Sequence, residues 1–161
     1  MRELVKQLAS HHTLDASSME RLLTQAAHDT DTLSYLRQEA VRTAQEQFGR
    51  GIYIRGLIEL SNHCHCNCLY CGLRRDNDKA KRYRLTQEEV LACCAEGYRL
   101  GFRTFVLQAG EDATHTDEWL TALITEIRSR YPEAAITISL GERSEASYIK
   151  LKEVGADRYL L

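Results

Sequence analysis

The run Ile52-Tyr53-Ile54-Arg55-Gly56-Leu57-Ile58-Glu59-Leu60-Ser61, followed at once by Asn62-His63-Cys64-His65-Cys66-Asn67-Cys68-Leu69-Tyr70-Cys71-Gly72, decides how the rest of the chain is read. Its first part is apolar and strand-like, separated from what precedes it by Gly49 and Gly51. Its second part sets Cys64, Cys68 and Cys71 at C-x3-C-x2-C spacing. Three thiolates so placed suit a 4Fe-4S cluster that keeps one iron open to a small molecule, whereas a closed structural zinc site wants four protein ligands. The loop points to chemistry at the end of a strand.

Beyond it, strand and helix patterns alternate. Helices are predicted over 87–100, 117–129 and 145–153, and strands over 52–61, 104–108, 136–140 and 157–161. Thr86 and Glu89 have capping-box spacing, Thr116 and Ser144 are candidate N-caps, and Gly101 and Gly155 stand where helices should end. Each interval is long enough for a crossover helix, so the fold class is α/β with a parallel sheet. Before residue 49 the pattern is helical only. Asp15 is a candidate N-cap for a helix burying Met19, Leu22, Leu23 and Ala26, and Asp31 for a second with Leu33, Leu36, Ala40, Val41, Ala44 and Phe48 on one stripe.

Neighbouring side chains on a strand point to opposite faces. Ile58, Leu60, Phe105, Leu107, Ile136, Ile138 and Leu140 thus share an apolar face that helices must cover. Glu59, Ser61, Thr104, Gln108, Thr137 and Ser139 fall on the other face, which is expected to look into a barrel lumen with its active site at the C-terminal strand ends.

Composition narrows the function. The chain has 161 residues, 43% of them hydrophobic, enough for a folded core. A formal net charge of -2 with both signs interspersed lacks the basic field of a nucleic-acid binder, so a small-molecule substrate is expected. Four of the six cysteines crowd into 64–71 and the others are Cys93 and Cys94, a distribution unlike a disulfide framework. With no long apolar run and no signal-like start, the expected location is cytoplasmic, with no membrane partner.

The segments Arg55-Gly56-Leu57-Ile58-Glu59-Leu60-Ser61-Asn62, Cys71-Gly72-Leu73-Arg74-Arg75-Asp76-Asn77, Arg82-Tyr83-Arg84-Leu85, Val106-Leu107-Gln108-Ala109-Gly110-Glu111-Asp112, Ser139-Leu140-Gly141-Glu142-Arg143 and Gly155-Ala156-Asp157-Arg158-Tyr159-Leu160-Leu161 occur in an order and spacing that resemble the radical S-adenosylmethionine enzymes, in particular their FeFe-hydrogenase maturase branch of the HydE type. The resemblance covers about 50–161. It implies that the helical region read from the pattern, 1–49, is followed by a partial TIM-type (β/α) barrel, 50–161. It implies a 4Fe-4S cluster on Cys64, Cys68 and Cys71, S-adenosyl-L-methionine on the open iron, and Tyr70 beside the adenine. Gln108, Ala109, Gly110, Glu111, Thr137, Ser139 and Glu142 are the implied S-adenosylmethionine contacts. The implied reaction is reductive cleavage to methionine and a deoxyadenosyl radical, fed by an electron donor such as a ferredoxin or flavodoxin. It would act on an organometallic precursor in assembly of the hydrogenase active-site cluster, alongside other maturation proteins. Methylornithine synthase and biotin synthase share the radical-generating half and are the alternatives within the superfamily.

Other readings of the same residues stand beside this one. Cys66 adds a fourth thiol, and with Cys64, Cys68, Cys71 and His63 or His65 would make a noncatalytic zinc-binding domain, although two separated ligand pairs are the usual zinc pattern. Cys68 and Cys71 also spell a C-x-x-C redox pair. Cys93 and Cys94 read as small core or boundary side chains within a helix. Glu59 and Glu142 are either buried acids that tune the site or halves of ordinary ion pairs. Of Arg74, Arg75, Arg82 and Arg84, at least two are expected to be structural or solvated rather than anion-binding. Because a full barrel has eight strands and at least about 200 residues, the four strands here are expected to be a truncated half with weak or no turnover alone.

Overall fold

In the computed structural model, which describes Met1–Leu161, contacts divide the chain into two units, Met1–Tyr53 and Ile54–Leu161. The first holds three helices: α1 (Arg2–His11), α2 (Ala16–Ala26) and α3 (Thr30–Phe48). Helix α1 was not among the predicted elements, yet Leu4, Val5 and Leu8 have helical spacing and Val5 is buried. Asp15 caps α2 as expected, accepting from the Ser18 amide at 2.9 Å. The cap of α3 is Asp29 and not Asp31: its carboxylate accepts from the amides of Asp31 (3.1 Å) and Thr32 (3.3 Å) and from the Thr32 hydroxyl. The expected apolar stripes are only partly buried. Leu22 and Ala26 are covered, but Leu23, Val41 and Phe48 are 63%, 54% and 80% exposed, because three helices offer α2 and α3 one covered side each.

The second unit runs β1 (Gly56–Ser61), α4 (Gln87–Arg99), β2 (Thr104–Ala109), α5 (Asp117–Arg130), β3 (Ala135–Ser139), α6 (Glu145–Glu153) and β4 (Arg158–Tyr159). The four strands form one parallel sheet in the order β1-β2-β3-β4. The helix starts match their sequence signals. Thr86 and Glu89 make a reciprocal capping box, and the Thr116 and Ser144 hydroxyls accept from the amides of Trp119 and Ser147. Gly101 and Gly155 follow their helices at φ of 95° and 113°, where a side chain would be strained. Strand β1 is shorter than the predicted 52–61. Its first paired residue, Gly56, faces Phe105 near the start of β2, so Ile52, Tyr53 and Ile54 have no neighbouring strand and are exposed.

Sequential strand order has a consequence for the site. A doubly wound sheet reverses direction and puts helices on both faces; here each successive crossover adds its strand on the same side. Ile58, Leu60, Phe105, Leu107, Ile136 and Ile138 are at most 7% exposed and form one core with Val90, Cys94, Leu120, Leu123, Ile124, Ile127 and Leu151 of the three helices. Burying each Leu or Ile contributes about 1.5–3 kcal/mol before entropy is counted. The other face carries the rows Leu57-Val106-Thr137 and Glu59-Gln108-Ser139, aligned by the strand register. Layered rows on the inner face of a parallel, sequentially ordered sheet are what the interior of a (β/α) barrel is made of.

Candidate functional site

The cysteine loop leaves the C-terminal end of β1 through an irregularity. Between Glu59 and Ser61 the register with β2 shifts by one residue, a bulge that re-aims the strand end. Beyond it, Ser61 donates to the Asp112 carboxylate at 2.7 Å. Arg84 donates to both oxygens of the same carboxylate at 2.7 and 3.1 Å, and Thr114 adds its amide and hydroxyl at 3.1 and 2.9 Å. Burial alone would raise the pKa of Asp112, but these donors outweigh it and hold the carboxyl well below the ordinary range. One ionised side chain thus ties β1, the strap carrying Arg84 and the turn after β2.

A second tie holds the loop itself. Arg82 donates to the carbonyls of Leu73 (2.9 Å), Arg74 (2.8 Å) and Asn77 (3.2 Å), and to that of Asn62. Asn62 in turn accepts from the Tyr83 amide at 2.7 Å and donates to the Lys81 carbonyl at 2.8 Å. Arg82 and Arg84 are therefore structural, in line with the expectation for two of the four arginines, and Arg75 makes an exposed pair with Asp76.

All six cysteines are free thiols. Cys64 and Cys71 are half-buried and Cys68 is exposed. The Cys71 amide donates to the Cys68 carbonyl at 3.0 Å, and the Leu73 amide points at the Cys71 sulfur at 3.4 Å. Gly110, just past β2, lies so near that a Cβ would stand 2.5 Å from the His63 carbonyl oxygen and 2.6 Å from Cys64 Cβ. The three thiols thus share one loop pressed against the end of the next strand. Soft sulfur donors on a tied loop fit an iron–sulfur cluster.

The expected cofactor contacts fall in several places. Gln108, Ala109, Gly110 and Glu111 are half-buried at the end of β2, and Ser139 is half-buried on the adjacent strand. Thr137 is buried with its hydroxyl lacking any hydrogen-bond partner, an orphaned polar atom of the kind a ligand or water satisfies. Tyr70 is 93% exposed and packs on nothing in this chain. Glu142 is exposed on the rim of a cleft of about 340 Å³ that His65, Glu111, His115 and Arg143 also line. Glu59 is exposed too, and neither Glu59 nor Glu142 has an ion-pair partner, so both expected roles as buried acids or paired charges are corrected: each carboxylate is open to solvent. Cys94 is in the core, its thiol pushed up to about 12 by burial, while Cys93 is exposed.

Several residues were not singled out as site residues from the sequence. Ser61, Asp112 and Arg84 meet across long separations, and nothing local to any of them announces the meeting. His115 is buried against Trp119, and burial lowers its pKa despite Asp112 nearby. Arg143 reaches Asp117 at 3.0 Å and the His115 carbonyl at 2.7 Å, fixing the far wall of the cleft. His65 and Cys66, expected only in connection with zinc, lie against Glu111. The Cys66 thiol is pushed up to about 11 by burial and then by Glu111.

No family model matches the chain. It is 47% identical over 113 residues to the [FeFe] hydrogenase maturase subunit HydE of Thermotoga maritima, covering 70% of this chain and 32% of that protein. It is 29% identical over 133 residues to biotin synthase of Staphylococcus aureus, covering 80% and 39%. Among solved structures, methylornithine synthase (PylB) superposes with a TM-score of 0.84 at 25% identity over 97% of this chain and 46% of that one. HydG, a maturase of the [FeFe]-hydrogenase, superposes at 0.78 with 26% identity over 98% and 35%. The chain spans about a third of the length of the curated relatives it matches. The fold expected from the sequence, the N-terminal part of a radical S-adenosylmethionine barrel, is the fold found. No helix is long and apolar enough to cross a membrane.

Proposed function

We infer that this chain, which belongs to the radical S-adenosylmethionine superfamily, carries the cluster-binding part of an enzyme that acts in assembly of the FeFe-hydrogenase active-site cluster. One observation carries the inference: Cys64, Cys68 and Cys71 share a short loop at the C-terminal end of β1 that is pressed against Gly110 of the neighbouring strand. When bound, a 4Fe-4S cluster and S-adenosylmethionine supply a one-electron reductive cleavage that yields methionine and a deoxyadenosyl radical.

The chain's own residues prepare that chemistry. Cys64, Cys68 and Cys71 would hold the cluster through their sulfurs, and the Leu73 amide lies 3.4 Å from the third of them. The Gly110 backbone, Gln108 and Ala109 face the same strand ends and supply polar contacts to the amino-acid end of S-adenosylmethionine. Thr137, with its unpaired hydroxyl, and Ser139 continue that wall, Glu111 and Glu142 flank it, and Tyr70 stands exposed on the loop, free to cover the adenine. Asp112 and Arg82 move no proton or electron; they hold the loop in shape so that its ordering is complete before the cofactor arrives. In this reading residues 1–49 are a helical accessory region and 50–161 the partial barrel. The electron comes from a ferredoxin- or flavodoxin-type donor in the cytoplasm, and the substrate is an organometallic precursor exchanged with other maturation proteins. The 47% identity to HydE supports the maturase class over methylornithine or biotin synthesis, since the PylB likeness lies mainly in the fold.

Anaerobic reconstitution with iron and sulfide tests the inference. The expected result is about four irons per chain, a brown chromophore and a change in its electron-paramagnetic-resonance signal on adding S-adenosylmethionine. Equal uptake after Cys64, Cys68 and Cys71 are all changed to alanine would overturn it.

A further inference from the structure

His65 and Cys66 sit between the first two cysteines of the motif, and the superfamily reading gives them no task. The His65 ring nitrogen Nδ1 is 2.8 Å from the Glu111 carbonyl oxygen. A carbonyl can only accept, so that contact engages Nδ1 and leaves Nε2 as the ring nitrogen turned to the rest of the site. Nε2 faces the Glu111 carboxylate, 3.5 Å from Oε2. The distance is long for a hydrogen bond. It is close to the edge of a coordination tetrahedron: bonds of roughly 2.0–2.1 Å put neighbouring nitrogen and oxygen donors about 3.3 Å apart. The Cys66 sulfur completes the trio, and all three donor atoms lie within 4.8 Å of one another.

The trio is also held in place. The His65 amide donates to the Glu111 carbonyl at 3.0 Å, and the Arg75 amide to the Cys66 carbonyl at 2.9 Å. The Glu111 side chain lies in the space left by Gly141, where a Cβ would come 2.1 Å from its Cγ and 2.7 Å from its Cδ. An imidazole whose other nitrogen is bonded to a backbone carbonyl is the usual orientation of a metal-binding histidine. One nitrogen, one sulfur and one oxygen donor select zinc, iron(II) or cobalt(II) over magnesium and calcium, which prefer oxygen.

We propose that His65 Nε2, Cys66 Sγ and the Glu111 carboxylate form a mononuclear site for a divalent transition ion, distinct in its ligands from Cys64, Cys68 and Cys71. Three protein ligands leave a fourth position, open toward the cleft bordered by His115, Glu142 and Arg143, for water or a small anionic ligand. The bound ion clamps the cysteine loop to the turn after β2.

Cobalt(II) added anaerobically to the full chain carrying Cys64→Ala, Cys68→Ala and Cys71→Ala tests this without a cluster. The expected result is one cobalt per chain with thiolate-to-cobalt charge-transfer absorption and intense four-coordinate visible bands, displaced by zinc. Adding Cys66→Ser abolishes the charge transfer, His65→Ala and Glu111→Gln each weaken binding by about ten-fold or more, and Cys93→Ser changes nothing. Absence of the charge-transfer band in the triple-alanine chain, or its survival with Cys66→Ser, overturns the proposal. Far-UV circular dichroism checks each variant, and His65→Ala, at an exposed position, stands in should Glu111→Gln fail to fold. Iron uptake by the unmutated chain reports on the cluster separately, so the two inferences fail independently.

Discussion

Replacing Gly110 with alanine adds one methyl group where the structure has no room. The new Cβ would meet the His63 carbonyl oxygen at 2.5 Å, Cys64 Cβ at 2.6 Å and Cys64 Cα at 3.2 Å. Two of these three atoms belong to backbone and none can rotate away, so the cysteine loop must retreat by about 0.8–0.9 Å to restore ordinary contact. Gly110 does not sit at positive φ, so the cost is steric and not conformational. Overpacking of this size costs about 1–3 kcal/mol, a fall in Tm of roughly 2–12 °C for a chain of this length. Because the displaced residue is the first of the three proposed cluster ligands, iron content after anaerobic reconstitution is expected to fall as well. Gly72→Ala is the control: it adds the same methyl beside Cys71 in the same loop, with nothing within 4 Å of the new atom. Thermal denaturation and iron analysis of both variants decide the matter. If Gly110→Ala keeps full iron content and melts within roughly 1 °C of Gly72→Ala, the contact between the two strand ends does not position the loop and the steric reasoning is wrong.

Asp112→Asn keeps the shape of the clamp but removes its charge, and is expected to destabilise the chain at neutral pH by about 1–3 kcal/mol. Since the folded carboxyl lies below its ordinary value of 3.8, its stabilisation is complete above that value and is lost as pH falls below it toward the folded value. Melting curves between about pH 5 and about 2 should therefore fall less steeply for the variant, and equal slopes would remove Asp112 from the account. Arg82→Lys is expected to loosen residues 72–81, because one ammonium cannot reach the four carbonyls that the guanidinium spans; limited proteolysis should cut there faster than in the unmutated chain, and unchanged cleavage would count against it. Gly141→Ala should displace Glu111 and, at φ of 76°, add strain of about 1–2 kcal/mol, read as a lower Tm and weaker cobalt binding; a variant matching the parent in both would show that Glu111 does not depend on that space.

The parts of this fold that were legible in the sequence are those decided locally. The Thr86–Glu89 box, the Thr116 and Ser144 caps and Gly101 and Gly155 each act within a few residues, and each stands where it was read. The alternation in β1, β2 and β3 gave the covered and uncovered faces, since a two-residue period leaves no other assignment. What was not legible depended on partners distant in the chain. The start of β1 was misjudged because apolar residues 52–54 look like strand, and only the position of β2 shows they have nothing to pair with. Leu23, Val41 and Phe48 were assigned to a core for the same reason: helical spacing shows which residues share a side, not whether anything covers it. Asp29 displaced Asp31 as a cap because both have the right chemistry and only the backbone angle separates them. In the site, the cysteines were visible by spacing, while Ser61, Arg84 and Asp112 were not, since their meeting is tertiary.

The distribution of these ties explains how an irregular segment can keep the proposed cluster site in shape. From Asn62 to Leu85 the chain has no helix or strand, only turns and one isolated bridge between Ser61 and Arg84. A connection of that length is uncommon in a compact unit and is usually functional. It lacks a hydrogen-bond ladder, so its carbonyls are satisfied by local turn bonds and by side chains, and Arg82 takes four of them. Its two ends are then fixed to the sheet, one by the Ser61–Asp112–Arg84 cluster and the other by the antiparallel contact of Leu85 with Leu60 at 2.8 Å. The cysteines lie between those anchors. A loop fixed in this way offers its sulfurs with little ordering left to do when a metal or cluster binds, and charged donors that touch no ligand decide the geometry of those that do.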